Sequence, residues 1–371
     1  MQTQFISSID DIPATDWNRL LTEDNPFLNH SFLAALEHHG AVGNENGWLA
    51  HHLIAFEGDE LCGALPLYIK SHSYGEFVFD WAWANAYQRA GLNYYPKLVS
   101  AVPYTPVTGA RLLTHNKDIA RLLAQTAQEY ADKNKYSSLH VLFSHNNDNQ
   151  LLNSNGLLTR YGYQFHWHNR SYSCFEDFLS GLTTKHRKNI RRERKRVREQ
   201  AVTIHCLPGN QVSPEQWQFF HQCYQSTFDK KSNYAALTLG FFQEIGTNLG
   251  SQVLLILAEQ NGKPIASALF LRSHDTLYGR YWGTLRTIDC LHFELCYYQA
   301  IEYCINHGLQ YCEAGAQGEH KISRGFAPVT TYSSHWIGHP QFRSAIEQFV
   351  HHEKIGVEEY IAVMQTHLPY R

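Results

Sequence analysis

Residues 252–284, QVLLILAEQNGKPIASALFLRSHDTLYGRYWGT, decide the reading of the fold. Apolar runs are interrupted at Asn261-Gly262 and again near His274-Asp275, and such pairs suit tight turns between antiparallel strands. Three strands are expected. Downstream, HFELCYYQAIEYCINHGL (292–309) places Phe293, Tyr297, Ala300, Ile301 and Cys304 on one helical face and stops at Gly308. LQYCEAGA (309–316) reads as the next strand. Upstream lie two helices, SPEQWQFFHQCYQSTFDKK (213–231), with Ser213 as cap and Pro214 at the first position, and TLGFFQEIGTNLG (238–250).

The first half runs in a similar order. PFLNHSFLAALEHHG (26–40) reads as a helix entered through Pro26 and closed by Gly40. HHLIAFEGDELCGALPLYIK (51–70) reads as a hairpin turning at Gly58-Asp59. Ser71–Pro106 is rich in Pro, Tyr and Trp and is expected to be irregular. A helix over 118–134, a buried strand over 137–143 and a helix leading into a strand over 149–167 complete it. The repeat is one of architecture, not of residues. At 371 residues the chain suits two cores. No linker separates the halves, and the boundary is expected near His166–Tyr172. That divides the chain into 1–168, 169–338 with a basic helix at about 183–199, and a C-terminal helical segment, 339–371.

Apolar residues make up 43% and charged residues 18%, ordinary for a folded protein. No signal peptide and no span of about 20 apolar residues is evident, so a cytoplasmic protein without a membrane span is expected. The eight cysteines form no CxxC pair, and the 23 histidines lack zinc spacings, so no metal is expected. Of 31 basic and 34 acidic side chains, nine basic and one acidic lie in 185–198, which leaves 22 against 33 elsewhere. Arg187, Arg191, Arg194 and Arg198 share a flank of that helix, anchored by Ile190 and Val197. Such a stripe suits phosphate or RNA backbone; a solvated charged face is the alternative.

LTTKHRKNIRRERKRV (182–197), GRYWGT (279–284) and LHFELCYYQAIEYCINHGLQYCEAGAQGEHKISRGF (291–326) resemble the second domain of FemAB-like proteins. GWLAHHL (47–53), LPLYIKSHSYGEFVFDWAWANAY (65–87), YYPKL (94–98) and VPYTPVTGARLL (102–113) resemble the bacterial FemAB-like group whose reactions are mostly unassigned. The resemblance implies an α/β (α+β layered) fold of two tandem GNAT-like domains, each a mixed central sheet flanked by helices. It also implies a transferase that moves an aminoacyl or acyl group onto an amine of a phosphate-bearing acceptor, such as a peptidoglycan precursor. The co-substrate would be aminoacyl-tRNA or acyl-CoA, with no bound cofactor, and tRNA a candidate partner.

In such enzymes a Phe-Lys precedes a Gly-Phe, and the lysine faces the reacting groups. Lys321 matches that position, with His320 in place of Phe. Aminolysis of an ester needs a cation for the oxyanion and a base for the amine proton. Lys321 would supply the first, and Glu319, His320 or Glu294 the second. Arg280, Tyr281, Trp282, His292, Gln317 and Arg324 would border the donor cleft. In the first domain His72, Tyr74, Glu76, Trp83, Lys97, Tyr104 and Arg111 would contact the acceptor. The stretch LRTIDCLHFE (285–294) carries Asp289 and Glu294 where coenzyme A-binding relatives place a basic, Gly-rich loop, which disfavours a pyrophosphate there. Two rival readings stay open: a non-catalytic module binding RNA or nucleotide-linked metabolites, and a conventional acyl-CoA N-acyltransferase using Gly109–Arg111.

Overall fold

The computed structural model describes residues 1–315 and 318–371. The chain forms two units, Met1–Tyr163 with Thr330–Glu359, and Gln164–Val329 with Tyr360–Arg371. The sequence division at 168 and 338 misses the return of 330–359 to the first unit. The reason is that two long strands, Leu158–His168 and Ala327–Ile337, each carry the chain from one unit to the other. The C-terminal helix Pro340–Thr366 likewise begins in the first unit and ends in the second.

In the first unit, strands Trp48–Ala50, Tyr68–Lys70, Lys97–Ser100 and Ser138–Ser144 run in that order, followed by the end of Ala327–Ile337. The pair Lys97–Ser100 and Ser138–Ser144 is parallel; its neighbours are antiparallel. A separate sheet holds Gln2–Ile6, His52–Glu57 and Glu60–Leu65, the last two forming the expected hairpin with Glu57 opposite Glu60. The helix expected from Pro26 begins only at His30, where Asn29 caps it through Ser31 N. The segment 71–106 is more regular than its composition suggested. It contains the helix Trp81–Arg89 and the strand Lys97–Ser100. Trp83 and Tyr87, one turn apart, face a buried cluster with Tyr94, Ile346 and Val350. Aromatic rings lower helix propensity only slightly, and burial outweighs that cost.

In the second unit the sheet order is the end of Leu158–His168, then Tyr311–Glu313, Thr276–Thr284, Lys263–Arg272, Val253–Gln260 and Val202–Pro208. The three strands of 252–284 form as read, with Asn261 and Gly262 both at positive φ in the first turn. The edge strand Val202–Pro208 escaped the sequence reading; none of its residues is fully buried. Thr276–Tyr278 pairs in parallel with Tyr311–Glu313, and the helical stretch Leu291–Asn306 makes the crossover between them. That stretch contains a π turn at Glu294–Tyr298, which widens it by one residue and buries Leu295 and Tyr298 beside the expected Tyr297, Ala300, Ile301 and Cys304. The helix Pro214–Asp229 starts with a complete capping box between Ser213 and Gln216.

Gly283 explains how closely that helix approaches the sheet. A Cβ there would lie 2.0 Å from the Cys223 carbonyl oxygen. Backbone cannot yield as a flexible side chain does. Gly283→Ala should cost about 3 kcal/mol in urea unfolding, as an overpacked core does. Gly356→Ala, in the C-terminal helix with nothing within 4 Å of the added carbon, should instead stabilise by about 0.5–1 kcal/mol.

Candidate functional site

Parallel pairing in the second unit stops at Tyr278 opposite Glu313. Beyond it, the first strand continues through Arg280, Tyr281 and Trp282, and the second opens into the loop that carries Gly315. Sites in sheets of this kind form past the carboxyl ends of parallel strands. Gly318, at φ 116, and Gly325, at φ 92, bracket a short 3-10 helix, Glu319–Arg324. Both values favour glycine over other residues.

Lys321 is 1% exposed. Its Nζ donates to the Gly315 carbonyl at 2.6 Å, and burial lowers its pKa to about 8. His166, opposite Glu313 across the strand pair, has Nδ1 3.7 Å from the Glu313 carboxylate. Burial, and then the charge of Lys321, push His166 down to about 3, so this ring is neutral at pH 7. Only strand register brings His166 here, and no motif marks it.

His320 is placed beside the loop with its Nε2 2.7 Å from the Tyr297 hydroxyl. Burial, then Arg324 and Lys321, hold its pKa below the usual imidazole value. His292 packs tilted against Trp282, with ring centroids 5.1 Å apart, and lies 6.2 Å from the His320 ring. Burial followed by His320 lowers His292 to about 4. Tyr281 packs edge-on to Tyr224, and Arg280 lies 5.2 Å over the Tyr281 ring. Trp282, His292, Phe293, Tyr297 and His320 thus form one aromatic wall. Gln317 falls outside the described residues.

The other two candidate bases are engaged. Glu294 is buried and paired with Arg194 at 3.1 Å, while its Oε1 also accepts from Gln299. Glu319 is exposed and accepts from the Tyr360 hydroxyl at 2.7 Å. Arg324 is buried. It donates twice to the Glu193 carboxylate at 2.9 Å, to Tyr298 Oη at 2.9 Å and to the His320 carbonyl at 2.7 Å. Its guanidinium covers the Phe293 ring at 3.6 Å. Tyr298 completes the group by donating to Glu193. Glu193 is the buried acid of the basic helix. Its spacing from Ile190 and Val197 on the buried face was the signal that could have found it.

The arginine stripe divides. Arg194 turns inward, ion-paired with Glu294 and with Glu302 at 2.7 Å and stacked on Phe175 at 4.4 Å. Arg191 meets Glu176 at the surface, Arg198 is exposed and Arg187 half-buried. Lys188, Arg192 and Lys195 face solvent.

In the first unit, Glu76 and Lys97 pair at 2.8 Å in full burial. Trp83 is buried under Arg160, 5.1 Å from its ring, and against His335. His72 accepts from Tyr74 N, and Tyr74 is exposed. Tyr104 donates to the Ala41 carbonyl. Arg111 has another occupation than ligand contact. It is 1% exposed, and its Nε, Nη1 and Nη2 donate to the carbonyls of Leu142, Ala110 and Val107. The amides around it are also spoken for: Gly109 N by Phe143 O, Ala110 N by Glu23, and Arg111 N and Leu112 N by Asp148. Two carboxylates on consecutive amides leave no cradle for a pyrophosphate.

Breaking the inner pair should be expensive and trimming the outer stripe cheap. Arg324→Met is expected to cost about 3–5 kcal/mol in denaturant unfolding, because it strands Glu193 without its cation. Arg198→Ala should stay within about 0.5 kcal/mol.

Comparison with known proteins agrees with this architecture. FemX in its crystal structure is 11% identical, with a TM-score of 0.57 over 94% of this chain and 100% of that one. L-PGS from Bacillus licheniformis is 11% identical, TM-score 0.53, covering 88% and 98%. A conserved protein of unknown function from Bacteroides thetaiotaomicron VPI-5482 is 13% identical, TM-score 0.52, covering 90% and 99%. At such identities the likeness is one of fold: a mixed α/β tandem-GNAT architecture along the whole chain. No curated protein matches significantly. Among the described residues, no helix is long and apolar enough to cross a membrane. The FemAB-like family model, described as peptidoglycan biosynthesis/recognition, matches residues 8–371, and the chain belongs to that family of transferases.

Proposed function

We propose that this chain transfers an aminoacyl or acyl group onto an amine of a phosphate-bearing acceptor, with Lys321 at the reacting centre. The observation that carries the reading is a lysine buried past the open end of a parallel strand pair, its ammonium satisfied by one loop carbonyl. A buried cation is costly to keep and useful where negative charge develops. The amine nitrogen attacks the carbonyl carbon of the ester or thioester. The Lys321 ammonium exchanges Gly315 O for the oxyanion. When the tetrahedral species collapses, the C–O or C–S bond breaks and the leaving group takes a proton.

His320 is the base we favour among the three candidates: Glu294 is buried in an ion pair and Glu319 is exposed and held by Tyr360, whereas His320, although bonded to the Tyr297 hydroxyl, lies in the aromatic wall next to Lys321 with its pKa held low by burial. Aminoacyl-tRNA is the favoured donor. Carboxylates hold the amides of 110–112 in the first unit, which disfavours coenzyme A there; at the helix start of the second unit Asp289 and Glu294 are ion-paired with Arg196 and Arg194, and no basic, Gly-rich loop stands beside them. Exposed Arg191, Arg192, Lys195 and Arg198, with Lys188, supply a basic face for a polyphosphate backbone. Arg280, Tyr281, Trp282 and His292 border the donor in the second unit, and His72, Tyr74, Glu76, Trp83 and Lys97 are the acceptor contacts proposed for the first.

Incubation with charged tRNA and with acyl-CoAs tests the reading; if neither donor is bound or consumed, it fails. Lys321→Met should lower turnover at least a hundredfold, yet leave the unfolding midpoint at pH 7 unchanged or higher. The sign follows from the depressed pKa: protonating Lys321 in the folded state disfavours folding below about 8, and stability rises with pH from about 8 towards the unfolded value. Because the charged form acts, kcat/KM should fall above about pH 8. A rate that climbs through pH 8 would reverse the assignment.

A further inference from the structure

The first unit holds an open pocket that the transfer step leaves unused. It lies between the helix Asn146–Ser154, the start of the strand Leu158–His168 and the helix Pro340–Thr366, and its volume is about 390 Å³. That size suits a small ligand. Its helix wall carries Asn146, Asn149, Gln150 and Asn153. The spacing i, i+3, i+4, i+7 puts these amides on one helical face. Asparagine is a poor helix former, because its side chain competes for backbone hydrogen bonds. The amide face therefore forms against local preference.

Asn149 is the member held most firmly. It is 5% exposed, and its Oδ1 accepts from the Thr159 hydroxyl at 3.2 Å and from the Ser334 hydroxyl at 2.9 Å. Two donors on that oxygen fix which way the amide points. Its Nδ2 meets no acceptor among the described residues. A nearly buried donor without an acceptor is costly, and it marks a place for a ligand oxygen. Asn153 is set the other way round. Its Nδ2 donates to the Leu157 carbonyl at 3.2 Å and to the Thr159 hydroxyl at 3.4 Å, which leaves Oδ1 to accept. The Thr159 hydroxyl thus links an amide with a spare donor to one with a spare acceptor.

The rest of the lining selects among ligands. Leu158 and Val350 are buried and apolar, and Tyr161 adds a half-buried ring. Lys354 lies 3.7 Å from Glu358 and 4.9 Å over the Tyr161 ring, and Glu347 stands on the same lining. An anion such as phosphate finds no surplus of cations there. A wholly apolar ligand would leave the amides without partners. Hydroxyl groups match them, because each hydroxyl both donates and accepts, as an amide does. The C–H faces of a sugar ring then cover the apolar side chains.

We infer that this pocket binds a neutral mono- or disaccharide, with one hydroxyl oxygen on Asn149 Nδ2 and one hydroxyl hydrogen on Asn153 Oδ1. None of its residues takes part in the proposed transfer, and the inference does not rest on that reading.

Saturation-transfer NMR of the full chain with glucose, N-acetylglucosamine and cellobiose tests it, with trialanine and inorganic phosphate as rival ligands. Saturable binding of at least one sugar is expected, at least tenfold tighter than of trialanine or phosphate. Asn149→Asp keeps the oxygen that Thr159 and Ser334 hold and removes the donor, so it should weaken sugar binding at least tenfold. If that variant does not fold, Gln150→Trp decides: Gln150 is exposed on the pocket wall, and an indole there should block entry and cost tenfold or more. No saturable binding of any of the three sugars, tighter binding of trialanine or phosphate, or sugar binding unaltered in the folded variants overturns the inference. Lys321→Met protein should bind the sugar as the unaltered chain does, so failure here and failure of the transfer reading are told apart.

Discussion

The second unit depends on one buried contact, the two-pronged ion pair between Arg324 and Glu193. Glu193 sits on the inner face of the basic helix Thr184–Glu199, and Arg324 ends the short helix that carries Lys321. Tyr298, from the π turn, bonds to both. Three pieces of chain far apart in sequence are therefore held by one set of charge-assisted bonds. A buried pair of this kind adds little net stability over a well-packed apolar one, but it penalises every arrangement that separates its members. What it secures is position: the loop beginning at Gly315 is anchored at its far end, and Lys321 has one place to sit.

That placement accounts for the division of labour among nearby charges. Arg194 and Arg324 neutralise Glu294 and Glu193, so the acids closest to the helix start are committed to structure. Among the described residues, Lys321 is left with a carbonyl in place of a carboxylate partner. Burial lowers its pKa to about 8. The same two arginines explain why a helix so rich in cations packs at all: its inner face is Ile190, Glu193 and Val197, and its cations are turned to solvent or paired.

Much of this could be read from the residues. The turn at Asn261-Gly262 and the apolar runs over 253–284 marked the second sheet's middle strands, and Ser213-Pro214 marked the helix before them. The Lys321 loop stood out through its glycines and its crowding of ionisable groups. Other features resisted for physical reasons. Composition hid the helix Trp81–Arg89, because tertiary burial of Trp83 and Tyr87 overrides weak propensity. The edge strand 202–208 buries no residue fully, so it lacks the continuous apolar run of its neighbours. Arg194, in the middle of a stripe that otherwise looks outward, is drawn in by Glu294 and Glu302 from another helix. His166 reaches the site through strand register alone. Sequence periodicity reports faces of elements; it does not report which charged group on one element finds its partner on the next.

The account turns on the state of one ammonium group. Titration of the lysine side-chain nitrogens by heteronuclear NMR measures it directly. The structure predicts a lysine resonance that titrates near about pH 8 and is missing from Lys321→Met protein. A Lys321 resonance titrating with the exposed lysines, near about 10.4, would contradict a buried, partner-poor lysine at the centre of the site.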